Sequence, residues 1–152
     1  MNLIIYCLNG PNLNLLGERE PAVYGTGTLG DLKQLCEDTI EALGGKLDFR
    51  QSNQEGDLVD WVQEARQKAS ALVINAGGYT HTSVALHDAL KVLTIPVVEV
   101  HLSNLHARED FRQKSLLGRN CAGSISGFGL ESYRLAVQWF VNQTPKRVGF
   151  RV

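Results

Sequence analysis

The run Pro96-Val97-Val98-Glu99-Val100-His101-Leu102 constrains this chain more than any other stretch, because it is almost wholly apolar and only long enough for one strand. A half-exposed strand alternates apolar and polar residues; a strand buried on both faces reads as a near-continuous apolar run, the mark of a parallel sheet covered by helices. Leu3 to Leu8 is a short apolar strand, and Lys46 to Gln51, Ala71 to Asn75 and Ala122 to Ser126 supply three more strand candidates.

Helical patterns separate these runs. Leu29, Leu32, Leu35, Cys36, Ile40 and Leu43 recur at helical spacing, with Thr28 and Asp31 placed as a capping box ahead of them and Gly44-Gly45 behind. Leu58, Val59, Val62, Ala65 and Ala69 mark a second helix, Ser83 to Leu93 a third, Arg108 to Ser115 a short one, and Gly129 to Asn142 an amphipathic closing helix. The βα rhythm predicts an α/β fold: a flavodoxin-like, doubly wound, five-stranded parallel sheet of order 2-1-3-4-5. The 152 residues suit one domain, 1–152. From Asn9 to about Gly27 no periodicity is visible, although βα loops usually take about 2–6 residues; this stretch reads as a lid loop centred on about 18–27.

Composition excludes several function classes. With 15 basic against 16 acidic residues and a net charge of −1, no broad basic surface for nucleic acid is expected. No apolar run approaches membrane-spanning length, and Met1 to Tyr6 reads as a strand rather than a signal peptide. Cys7, Cys36 and Cys121 are odd in number and widely spaced, which argues against disulfides or a zinc knuckle and for a cytoplasmic setting. Histidines 81, 87, 101 and 106 form no H-E-x-x-H pattern, so no metal is expected. Gly25 to Gly30 fits G-x-G-x-x-G, but it does not directly follow the first strand as a dinucleotide fingerprint should. No cofactor is expected.

Ligands of open α/β sheets bind beyond the carboxyl ends of the strands, at the point where strand order reverses. In the expected order that rim collects Asn9 to Asn14, Asn75 to Gly78 and Glu99 to Asn104. Glu99 and His101 are two apart on a strand and share a face; pairing them makes a buried carboxylate affordable and fixes the imidazole tautomer. His101 is thereby a candidate general acid, or one half of a satisfied pair at the sheet edge. Arg19 and Tyr24 share the long loop, where a guanidinium favours a phenolate, or they are simply a solvated charge and a loop aromatic. Asn12 and Asn75 are candidate donors to a developing enolate oxygen, or ordinary turn residues. Thr80-His81-Thr82-Ser83 opens a helix and suits a carboxylate, as does Arg112. A flavodoxin-like module binding flavin or nucleotide is the competing class, against which the Asn-Gly-Pro-Asn loop argues.

Longer motifs decide between these. Leu8-Asn9-Gly10-Pro11-Asn12-Leu13-Asn14-Leu15-Leu16-Gly17, Arg19-Glu20-Pro21, Tyr24-Gly25, Gln51 to Gly56, Ile74 to Leu86, Glu99 to Asn104, His106-Ala107-Arg108-Glu109 and Gly127-Phe128-Gly129 together resemble the type II 3-dehydroquinate dehydratases over nearly the whole chain. The resemblance implies anti elimination of water from 3-dehydroquinate through an enolate, giving 3-dehydroshikimate, in the shikimate pathway or in quinate catabolism, without metal or cofactor. It implies a homododecamer of four trimers. Tyr24 matches the base, Arg19 the lid arginine that keeps it ionised, His101 the acid, Glu99 its orienting partner, and Asn12 a holder of the enolate-stabilising water. Asn75, His81, Leu102, Ser103 and Arg112 match substrate contacts, and Asp88 matches a residue reaching a neighbouring subunit's site. His87 departs from the arginine that many relatives carry at that position.

Overall fold

The computed structural model describes residues 3–143, so Met1 and Asn2 of the expected first strand and the last nine residues of the expected domain lie outside the described residues. Strands β1 (Ile4–Asn9), β2 (Lys46–Gln51), β3 (Ala71–Asn75), β4 (Val97–His101) and β5 (Gly123–Ser126) form one sheet of order β2-β1-β3-β4-β5. Every pairing is parallel, and the order is the expected one. Helices α2 (Leu29–Glu41) and α5 (Glu131–Asn142) pack together on one face, and α3 (Glu55–Lys68) and α4 (Val84–Lys91) on the other. This split follows from right-handed crossovers, which put α2 opposite α3 and α4 when the winding direction reverses after β2.

The side-chain period of two divides the core. Ile5 and Cys7 of β1 pack with Leu32, Cys36, Val137 and Phe140 toward α2 and α5, while Tyr6 and Leu8 pack with Leu58, Val62, Leu86 and Leu90 toward α3 and α4. β3 and β4 are buried at every position, as their apolar runs demand. The capping box forms: the Asp31 N–H donates to Thr28 Oγ1 (3.1 Å) and the Thr28 N–H to Asp31 Oδ2 (3.0 Å).

Two expectations need correction. Arg108 to Ser115 is not a helix; only 3-10 turns occur nearby, at Leu105–Ala107 and Asp110–Arg112. Its backbone bonds reach three residues back, from the Arg112 N–H to Glu109 O and the Gln113 N–H to Asp110 O, and the chain then leaves for tertiary partners, with the Leu116 N–H donating to Thr80 O and Lys114 O accepting from His81. The long loop is also less irregular than its sequence suggests. It holds a 3-10 turn at Leu13–Leu15 and one helical turn, α1 (Pro21–Tyr24), and it is pinned to the core through Leu13 and Leu16.

On the α3 face, Arg50 donates to both Asp48 oxygens (2.7 and 2.9 Å) and to Glu64 Oε2 (2.5 Å), which also accepts from the Tyr6 hydroxyl (2.6 Å). Burial first, and the hydrogen bond to the Glu64 carboxylate second, push the Tyr6 phenol up from 10.0 to about 12. The folded state therefore holds this proton more tightly than the unfolded chain. Its stabilisation is complete below pH 10 and declines as pH rises toward 12. Unfolding midpoints measured across that window should fall less steeply for Tyr6→Phe than for the unsubstituted chain.

At the point of strand reversal, the Gly10 N–H donates to Asn75 O (2.8 Å), drawing the ends of β1 and β3 together. A Cβ at position 10 would lie 2.4 Å from Ala76 O, a backbone atom that cannot swing aside. Gly10→Ala should cost about 1–3 kcal/mol or more by overpacking, read as a lowered thermal midpoint.

Candidate active site

Above the ends of β1, β3 and β4 lies a pocket lined by Asn12, Arg19, Tyr24, Asn75, His81, His101, Leu102, Ser103 and Arg112, all of them candidates from the sequence, together with Arg108. Glu99 stands directly behind His101, and Asp88 does not line the pocket. Asp88 sits exposed on α4 with its carboxylate 2.9 Å from His87 Nδ1.

One wall is built on β4. Its alternation aims Glu99 and His101 to the same side, and His101 Nε2 meets Glu99 Oε2 at 2.6 Å, the expected pairing. Only 1% of Glu99 and 5% of His101 is exposed, so this bond lies in a largely dry setting. The His81 ring stacks near His101 with centroids 6.5 Å apart and planes 20° from parallel. His81 Nδ1 lies 2.8 Å from Lys114 O. A carbonyl only accepts, so the hydrogen is on Nδ1 and Nε2 is left for a ligand.

The opposite wall comes from the long loop. Tyr24 ends the single turn α1, entered through Glu20 at a left-handed φ of 41° and Pro21 at the first helical position. Its ring lies between two guanidiniums: Arg19 Cζ is 5.0 Å from the ring centroid and Arg108 Cζ 5.1 Å. Arg108 is tied down by donating to Ser103 Oγ (3.2 Å). Glu109 accepts from Arg112 (2.9 Å), and that bond, reinforced by the charges of Arg112 and Arg108, holds its carboxyl below the usual range. Three arginines thus line the pocket against two carboxylate partners, Glu20 for Arg19 and Glu109 for Arg108 and Arg112, an excess of positive charge that suits an anionic ligand.

The floor is polar and braced. Asn12 adopts a left-handed backbone (φ 71°), and its N–H donates to Asn53 Oδ1 (3.0 Å). Asn53 is held in turn by Gln51 (3.2 Å) and by the Tyr79 hydroxyl, which donates to its carbonyl (2.8 Å). Asn75 Nδ2 donates to the Tyr133 hydroxyl (2.8 Å), which donates to Asn9 Oδ1 (2.6 Å), and Asn9 Nδ2 donates to Arg50 O (2.9 Å). Burial keeps the Tyr133 phenol well above its usual range, and therefore protonated. One hydrogen of Asn75 Nδ2 is spent on Tyr133; the other is available to the pocket.

Arg108, Tyr133, Asn53 and Asn9 were not among the candidates read from the sequence. Arg108 stood within a quoted motif without a role, and Tyr133 fell inside the expected closing helix without being singled out. Its phenol was the available signal, because a buried tyrosine hydroxyl almost always has a partner.

Comparison with known proteins agrees with this geometry. The family model described as class II dehydroquinase matches residues 3–141. The chain is 56% identical over 144 residues to a 3-dehydroquinate dehydratase of Rhizobium johnstonii, covering 95% of this chain and 99% of that protein. It is 59% identical over 138 residues to that of Phenylobacterium zucineum, covering 91% and 95%. Among solved structures, the type II dehydroquinase of Butyrivibrio crossotus superposes with a TM-score of 0.90 at 38% identity, covering 93% of this chain and 99% of that one. That of Propionibacterium acnes gives 0.90 at 39%, covering 94% and 99%. A βα order, a sheet and a pocket read independently from the residues thus meet a family match over nearly the whole described chain, and the chain belongs to the type II dehydroquinase family.

Proposed function

We propose that this chain is a hydro-lyase that converts 3-dehydroquinate to 3-dehydroshikimate. The observation that carries the reading is a tyrosine flanked by two guanidiniums and a carboxylate-backed imidazole lining the same pocket. Proton abstraction next to a ketone needs a base and a stabilised enolate, and loss of hydroxide needs an acid. Tyr24 as phenolate takes the proton from the carbon beside the ketone, with Arg19 and Arg108 supplying the positive charge that supports the anion. The electron pair moves onto the ketone oxygen as an enolate, and Asn12 helps hold the water that hydrogen-bonds to that oxygen. The pair then returns to form the conjugated double bond as the hydroxyl leaves, and His101 protonates it, so that water departs. Asn75, His81, Leu102 with Ser103, and Arg112 hold the substrate hydroxyls and carboxylate. Residues 18–27 act as the lid that carries Arg19 and Tyr24 over the ring.

In this reading the chain assembles as a dodecamer of four trimers, with Asp88 reaching a neighbour's site. The exposed Val84 and Val92 on either side of it in α4 and just beyond suit a contact surface. Three unpaired thiols fit a reducing, cytoplasmic setting.

Incubation with 3-dehydroquinate in the presence of EDTA should produce the ultraviolet absorbance of a conjugated enone acid; absence of product would overturn the assignment. Tyr24→Phe and His101→Ala should each lower kcat by about 10² or more with the fold intact by circular dichroism. Undiminished turnover by Tyr24→Phe would remove it as the base. Arg108→Met, which keeps bulk and removes charge, should lower kcat by about 10-fold or more; if kcat is unchanged, Arg19 alone provides the charge.

A further inference from the structure

We propose that Ser115 is a positioning residue for the acid step: its hydroxyl, forced to donate, keeps the Glu99 carboxylate an acceptor and thereby holds the His101 hydrogen on Nε2, leaving Nδ1 to deliver the catalytic proton. The inference rests on the dehydratase reading for the acid step and on the geometry behind His101 for the rest.

Ser115 Oγ lies 2.9 Å from both Glu99 oxygens and 3.0 Å from each of the Leu117 and Gly118 amide nitrogens. A hydroxyl has one hydrogen and two lone pairs. Amide N–H groups only donate, so they occupy both lone pairs and the single hydrogen has no direction left except toward Glu99. A carboxylate receiving that hydrogen has an oxygen free to accept from His101 Nε2 at 2.6 Å. The direction of every bond in the chain from the backbone through Ser115 and Glu99 to His101 is therefore set by two amides that cannot reverse.

Burial makes the device consequential. Glu99 is 1% exposed inside the most apolar strand, so water supplies little of its solvation. The neighbouring Cys121 thiol is pushed up to about 12, by burial first and the Glu99 charge second, so it stays neutral and adds no second negative charge beside Glu99. Without the Ser115 donor, the proton shared across the 2.6 Å bond shifts from the imidazole toward the carboxylate. The hydroxyl-protonating step slows, while Tyr24 and its guanidiniums are untouched. Ser115 does not line the pocket, so it reaches the reaction only through Glu99.

The test has an arm that needs no substrate. In the unsubstituted protein, ¹⁵N NMR of His101 in its neutral form should show hydrogen on Nε2; hydrogen on Nδ1 overturns the proposal. In the second arm, Ser115→Ala should lower kcat about 10-fold or more with little change in KM. With substrate deuterated at the abstracted position, loss of label from recovered substrate per turnover should rise, because the enolate forms normally and then waits for a slower acid step. An unchanged kcat, or a loss of kcat without increased washout, overturns the proposal. In a Glu99→Gln background Ser115→Ala should have no further effect, and independent losses that multiply would show a merely structural role. If Ser115→Ala fails to fold, the NMR arm alone decides. No turnover by the unsubstituted chain sinks the dehydratase reading, whereas hydrogen on Nδ1 of His101 sinks only the Ser115 inference.

Discussion

A carboxylate buried in the most apolar strand governs the rim of this sheet. Removing an ion from water costs several kcal/mol even after relaxation, and only close, well-directed partners offset it. Glu99 has two, His101 and Ser115. Its Ser115 partner comes from the non-helical segment between the 3-10 turns at Asp110–Arg112 and Gly118–Asn120. The same segment then supplies Lys114 O to His81 and the Leu116 N–H to Thr80. The segment that satisfies Glu99 thus also supplies the carbonyl that orients the second site histidine.

The two sides of the pocket are built to different standards. On the β1–β3 side, the chain Asn75–Tyr133–Asn9 is buried and linked by hydrogen bonds throughout, with Tyr133 delivered from α5 on the far side of the sequence. Networks of this kind have one arrangement and resist distortion. The Tyr24 side rests on a single helical turn, two core-anchored leucines and stacked guanidiniums. Fewer buried contacts mean a lower free energy for local opening. That division suits the proposed roles, with substrate contacts on the fixed side and Tyr24 carried on the segment proposed to admit the ligand.

Much of this was legible before any coordinate. A five-stranded parallel sheet followed from apolar runs and the βα rhythm, its order from choosing the flavodoxin-like form, the capping box from Thr28 and Asp31, and the Glu99–His101 pair from a spacing of two on one strand. The misread helix at 108–115 shows the limit of that method: its residues tolerate a helix, but the partners they take, Thr80, His81 and Glu99, are distant in the chain. Arg108 escaped notice because its relation to Tyr24 spans two separate loops. Ser115 escaped because nothing in its neighbourhood along the chain marks it as the donor to a carboxylate 16 positions away.

Periodicities of two and 3.6 are local properties, written in a few consecutive residues, and they sufficed for the five strands, the four longer helices, the burial of β4 and the face shared by Glu99 and His101. Which hydrogen bonds satisfy a buried polar group is settled by whatever the packed core brings within about 3 Å. Tyr133 and Asn9, 124 positions apart, meet for that reason and no other. The direction of those bonds, and with it the nitrogen on which His101 keeps its hydrogen, belongs to the folded molecule, because a donor is compelled only when its remaining lone pairs are already taken.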